Sequence, residues 1–112
     1  MHFFITEAER KQKHTTCCFE FQRGAFDNIF WRDDSICLHA DIFDDHKLYD
    51  LFHKAIPHFD YYGVTEVTKE NWQALQVLAR ECGGTKEAII SELAQWVHDC
   101  FQNENVFTIC GL

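Results

Sequence analysis

Positive charge, proline, linker-like segments and long apolar runs are all scarce or missing in this chain. Pro57 is the only proline among 112 residues, and no stretch is rich enough in glycine, proline or serine to act as a linker. We therefore predict a single domain over residues 1–112. Residues 2–6 are a short apolar run followed at once by charged Glu7–Lys13, so neither a signal peptide nor a transmembrane segment is predicted. The expectation is a cytoplasmic protein with six reduced cysteines.

The shortage of positive charge restricts the classes of partner. Ten Lys and Arg residues stand against eighteen Asp and Glu, which gives a formal net charge of −8. Proteins that bind nucleic acid rely on Lys and Arg to displace counterions from the phosphates, and anionic membranes attract the same residues. We therefore predict neither a nucleic-acid partner nor a membrane partner. Basic proteins, metals and cationic ligands remain.

Signatures of catalysis and of metal binding are also missing. There is no nucleophile elbow, no glycine-rich phosphate loop and no dinucleotide fingerprint. Several candidate metal ligands fall between positions 37 and 58, but none has the paired Cys or His spacing of a zinc site. They are Cys37, His39, Asp41, His46, His53 and His58. We interpret them as core thiols and surface imidazoles, and predict no enzyme, no metal site and no cofactor.

Hydrophobic periodicity predicts an α+β fold in which helices pack on one side of an antiparallel sheet. Glu7–Lys13 is interpreted as a connector, and the short turns between successive strands predict a meander. The predicted strands are 2–6, 15–22, 29–31, 36–43, 62–67 and 106–110. The predicted helices are 48–56, 68–82 and 85–102, with Thr68 as the cap of the second and Trp72 in its buried face.

Acidic residues are concentrated in the middle of the chain. From Asp33 to Glu66 there are eight carboxylates against two lysines, which accounts for −6 of the net −8. Aromatic residues alternate with these carboxylates, a composition that is unlike that of a disordered acidic tail. One interpretation is a charged surface that only keeps the protein dispersed. The other is electrostatic complementarity to a basic protein, with the aromatic residues as contact area.

The segment Asp60-Tyr-Tyr-Gly-Val-Thr-Glu-Val-Thr-Lys-Glu-Asn-Trp-Gln-Ala-Leu75 resembles one found in small bacterial immunity proteins. There, an aromatic-Gly-x-Thr strand leads into a helix with a Trp and, three residues later, a Leu. Such proteins protect a cell from a polymorphic toxin, for example in contact-dependent growth inhibition. The resemblance covers sixteen residues of the chain. It implies an immunity-protein-like domain that binds and neutralises a cognate toxin domain.

Resemblance and charge together define the functional expectation. A carboxylate-rich surface can occupy or rim the phosphate-binding cleft of a basic nuclease, so we expect a toxin of that type as the partner. The expected partner-binding residues are Asp33, Asp34, Asp44, Asp45 and Asp60, flanked by Tyr61 and Tyr62. The alternative is a small regulatory module that self-associates or acts as an adaptor through an exposed apolar patch.

Overall fold

An antiparallel sheet with helices packed against it forms the fold, and the α+β class predicted from the sequence is confirmed. The computed structural model describes residues 2–112. Within that range the elements are β1 (Phe4–Thr6), α1 (Glu7–Lys13), β2 (Cys18–Arg23), β3 (Ile36–His39), α2 (Ala40–Asp45), α3 (Leu48–Ala55), β4 (Val64–Thr68), α4 (Lys69–Cys82), α5 (Gly84–Phe101) and β5 (Val106–Cys110).

The order of the strands across the sheet is β1-β3-β2-β5-β4, so the predicted meander is wrong. β2 lies at the centre, paired with β3 on one side and with β5 on the other. The chain skips a position between β1 and β2 because α1, and not a short turn, connects them. β4 and β5 are adjacent although α4 and α5 separate them in sequence.

Three local predictions are corrected by the structure. Glu7–Lys13 is helix α1, begun by a reciprocal capping box in which the side chains of Thr6 and Glu9 accept each other's backbone N–H. Residues 29–31 form no strand, and Trp31 has a left-handed φ of 60° that does not fit a strand. The predicted strand 36–43 ends at His39, whose Nδ1 accepts the N–H of Asp41 at 3.0 Å and caps α2.

The two faces of the sheet are covered differently. Phe19 and Phe21 of β2 point to the core shared with α2, α3, α4 and α5, as the sequence predicted for one side. Trp72 is buried there too, with its ring 6.1 Å from that of Phe107. On the other face, Glu20 and Gln22 are buried beneath α1 and the loop of residues 24–35. The central strand is therefore buried on both faces.

Candidate protein-binding surface

The seven predicted partner-binding residues divide into two groups, at opposite ends of β2. The Phe19 ring contacts Tyr61 with centroids 5.1 Å apart, whereas Arg23 Nε lies 3.7 Å from Asp34 Oδ2. Phe19 and Arg23 are four residues apart on one strand, about 13 Å at the usual rise. The structure brings Asp44, Asp60, Tyr61 and Tyr62 together at one end, where the exposed Asp45 follows Asp44 in the chain. It places Asp33 and Asp34 at the other end.

A shallow cavity of about 430 Å³ lies at the centre of the first group, and we name it the tyrosine pocket. It is lined by Tyr49, Phe59, Asp60, Tyr61 and Tyr62. Tyr62 is 77% exposed and Tyr49 is 43% exposed, whereas Phe59 is buried and forms the floor. Exposed tyrosines are typical of binding surfaces because the ring supplies contact area and the hydroxyl tolerates water.

Tyr61 joins the pocket to α2. Its hydroxyl lies 2.9 Å and 3.0 Å from the two carboxylate oxygens of Asp44 and donates to that carboxylate. Partial burial raises the pKa of Tyr61 to about 12, and the hydrogen bond and the charge of Asp44 act in the same direction. The phenol therefore stays protonated at neutral pH and remains a donor. This bond fixes the Asp44 carboxylate beside the rim of the pocket.

The backbone around the pocket is held by close contacts. Asp60 Oδ1 accepts the N–H of Tyr62 at 3.0 Å, which forms a tight turn. A Cβ added at Gly63 would lie 2.3 Å from Asp60 Oδ2, so a larger residue there would displace the Asp60 carboxylate. The C-terminus fastens the same loop, because Leu112 N–H donates to the Tyr61 carbonyl at 2.9 Å. The aromatic rings are thus mounted on a fixed backbone.

Asp44 and Asp45, beside the pocket, lie at a position where a carboxylate does not stabilise its helix. Asp44 and Asp45 end helix α2, whose last turn has no basic residue. The C-terminus of a helix carries partial negative charge and is stabilised by cations, not by carboxylates. Within residues 2–112, Asp44, Asp45 and Asp60 form no salt bridge. Their negative charge is therefore not neutralised by a cation of the described chain.

Asp33 and Asp34 lie on the loop of residues 24–35, where charge is partly compensated. Asp34 pairs with Arg23, and its carbonyl accepts from the Trp96 indole N–H at 3.2 Å. The loop is anchored by Glu20, a buried carboxylate that was not predicted as a functional residue. Its oxygens accept four hydrogen bonds, from Gln22 Nε2, Trp31 N–H, Arg32 N–H and Ser35 Oγ.

Sequence reasoning missed Tyr49 and the exposed tip of that loop. The buried face of α3 is Leu48, Leu51, Phe52 and Ala55. Tyr49 lies outside that face, and an aromatic residue off the apolar stripe of an amphipathic helix is a readable signal for surface contact. Ile29 and Phe30 are 58% and 53% exposed. The predicted strand 29–31 conceals their position at the tip of a loop.

None of the six cysteines and none of the seven histidines lines the tyrosine pocket. All six cysteines are free, and burial raises the pKa of the Cys37 thiol far above its ordinary value and that of Cys110 to about 12. Between His2 and Leu112, no group of three or more His, Cys, Asp or Glu side chains is arranged to hold a metal ion. A second cavity, of about 470 Å³ between α4 and α5, is lined mainly by glutamines and aromatic rings.

Comparisons with models of known families, with curated proteins and with solved structures found no match to this chain. In the part of the chain that the structure describes, no helix is both long and apolar enough to cross a bilayer.

Proposed function

We propose that the protein is a cytoplasmic immunity protein that neutralises a cognate toxin domain, most simply a basic nuclease, by docking on it. One observation carries the proposal: four of the predicted residues, Asp44, Asp60, Tyr61 and Tyr62, meet on a single rigid surface, and the exposed Asp45 follows Asp44 directly in the chain. No salt bridge within residues 2–112 neutralises the negative charge of these carboxylates. The sixteen-residue resemblance to immunity proteins supports the choice of a toxin as the partner.

The proposed mechanism needs no chemical step. Carboxylates facing a phosphate-binding cleft raise the rate of encounter and fix the orientation of the complex. The exposed rings of Tyr49 and Tyr62 supply desolvated contact area at the centre of the interface. The bound protein then occupies or rims the cleft and excludes nucleic acid. Asp33 and Asp34, at the other end of β2, contribute long-range attraction and are not central contacts.

Co-expression tests the proposal directly. The toxin is the C-terminal domain of a large secreted protein whose gene is expected immediately upstream. Cells that express this domain together with the protein should survive, and a catalytically inactive form of the domain should co-purify with it as an equimolar complex. An unrelated acidic protein of similar size serves as the control for charge alone. Death of the co-expressing cells, or failure to form the complex, contradicts the proposal.

Self-association through the loop tip is the second candidate function. Ile29 and Phe30 are adjacent and mostly exposed, and such an apolar patch is what an adaptor or a dimer needs. The net charge of −8 opposes the association of identical copies. Sedimentation at high salt, where this repulsion is screened, distinguishes the two functions. A dimer that dissociates on replacing Phe30 with Ser favours the adaptor, and a monomer favours the inhibitor.

A further inference from the structure

We propose that the tyrosine pocket holds the guanidinium head of one arginine of the partner protein. The inference deepens the proposed function and rests on it in one respect: it assumes that the cation belongs to a protein partner. The chemistry of the pocket itself can be tested without that partner. The geometry of the pocket, the exposure of the Tyr62 ring and the charge of Asp60 each support the assignment.

The pocket is concave and its walls are aromatic. The rings of Tyr61 and Tyr62 meet at 66° with centroids 4.8 Å apart, and Tyr49 lies 6.5 Å from Tyr61 at 53°. Tyr49 also meets the buried Phe59 at 62°. These inclined rings, together with Asp60, line the cavity. An aromatic surround of this kind recognises cations, because the face of each ring is negative.

The cations of the chain itself occupy other aromatic rings. In residues 2–112 the cation–π pairs are Arg10 with Trp31, Arg23 with Trp96, and Lys69 with Phe101. None of these involves a ring of the tyrosine pocket. His53 stacks on Tyr49 at 5.6 Å and 11°, which fixes the orientation of that ring. Because Tyr61 already packs against the rings of Phe19 and Phe43, the largely exposed ring of Tyr62 supplies most of the aromatic surface that is left for a ligand.

Charge decides which ligand fits. The Asp60 carboxylate lines the pocket, and Asp44 lies behind the Tyr61 hydroxyl, so phosphates and carboxylates are excluded by repulsion. Donation of the Tyr61 hydroxyl to Asp44 increases the electron density of the ring and hence its attraction for a cation. A guanidinium suits both components, because its plane stacks on aromatic faces and its N–H groups donate to a carboxylate in parallel. A volume of about 430 Å³ also accommodates the alkyl stem.

Small probes test the assignment in the isolated protein. Heteronuclear NMR follows titration with N-acetyl-arginine methylamide and, separately, with the citrulline analogue, which has the same shape without the charge. The arginine probe should shift the signals of Tyr49, Tyr61 and Tyr62, and the citrulline probe should not.

Because Tyr62 is largely exposed, Tyr62→Ala should fold normally and weaken arginine binding by about two- to fivefold. Val77→Ala, at an exposed apolar position on α4 away from the pocket, is the matched control and should leave arginine binding unchanged.

The possible outcomes separate the two proposals. Equal shifts from both probes, no shift from either, or tighter binding of the equivalent lysine probe overturns the guanidinium assignment. If the arginine probe binds the pocket but the toxin domain is not neutralised, the pocket stands and the proposed function fails. If the toxin domain is neutralised equally by the wild type and by Tyr62→Ala, and no probe binds, the proposed function stands and the pocket assignment fails.

Discussion

Replacing Glu20 with Gln tests how the loop of residues 24–35 is held in place. Each carboxylate oxygen of Glu20 accepts two hydrogen bonds: Oε1 from Gln22 and Trp31, and Oε2 from Arg32 and Ser35. The substitution turns one oxygen into an NH₂ group. If that group faces Gln22 Nε2 and the Trp31 N–H, both donors lose their acceptor; if it faces the Arg32 N–H and Ser35, the Ser35 hydroxyl can turn and accept from it. The more favourable orientation therefore loses one hydrogen bond to a charged acceptor, that of the Arg32 N–H.

The expected cost follows from that bond. A hydrogen bond to a charged group is worth roughly 1.5–3 kcal/mol, so its loss gives about the same amount. The remaining bonds are weaker because they are made to a neutral amide, and relief of the cost of burying a charge offsets this weakening. We therefore expect a net loss of about 2 kcal/mol in the free energy of unfolding. Local opening of the loop, which returns its N–H groups to water, removes the same penalty and costs less free energy than unfolding of the whole domain.

Urea unfolding and amide hydrogen exchange together measure both routes. The variant should unfold at lower urea, or else exchange the N–H groups of Trp31 and Arg32 faster. Glu81→Gln, at an exposed position on α4, is the matched control and should change stability by no more than about 0.5 kcal/mol. A Glu20→Gln variant within about 1 kcal/mol of the wild type, with both N–H groups still protected, refutes the reasoning.

Three further predictions concern the core, the N-terminal strand and the pocket. Trp72→Ala truncates a buried ring and should cost about 3–5 kcal/mol in chemical unfolding; near-native stability contradicts its place in the core. Burial raises the pKa of Glu92, but hydrogen bonds from the backbone N–H groups of residues 2–4 outweigh this and lower it. The stability that Glu92 contributes is therefore present above about pH 4.3 and lost as the pH falls through its folded pKa. Glu92→Gln should remove this pH dependence from acid unfolding, and an acid transition that is the same as in the wild type refutes the prediction. Asp44→Asn should lower the pKa of Tyr61 below about 12, but the pKa should stay above 10 because the ring is still partly buried. Ultraviolet titration, with Tyr61→Phe to identify the signal of this tyrosine, measures the change. A pKa equal to that of the wild type contradicts the role of Asp44.

Helices with a clear start signal were the most predictable part of the fold. The prediction of α4 was accurate because Thr68 caps it and the buried positions Trp72, Leu75 and Ala79 follow at helical spacing. Thr6 and Glu9 give the same kind of start signal at α1, where they form a capping box, although Glu7–Lys13 was predicted to be a connector. The helix was not predicted because Glu7–Lys13 has no apolar stripe: its buried residues are the charged Glu7 and Arg10.

The order of the strands, and with it the shape of the candidate site, could not be read from local patterns. Alternation along β2 and β3 predicts which residues share a face, but not which strands are neighbours. The pairing of β4 with β5 and of β5 with β2 places Tyr61 at the Phe19 end of β2, opposite Asp34. The meeting of Tyr49 with Tyr61 depends on how α3 packs on the sheet, which is again a tertiary property. The sequence therefore indicated the charged and aromatic residues of these loops, but not which of them lie together.

Two matched charge reversals test most directly that the surface around the tyrosine pocket is the interface. Asp44→Lys with Asp45→Lys changes the net charge by +4, and Asp33→Lys with Asp34→Lys makes the same change at the other end of β2. Association and dissociation rates of the inactive toxin domain are measured for both at low and high salt. The first pair should slow association by about tenfold or more at low salt and also speed dissociation, whereas the second should slow association only modestly. Equal effects of the two pairs, or a larger effect of the Asp33 and Asp34 reversal, contradict the account.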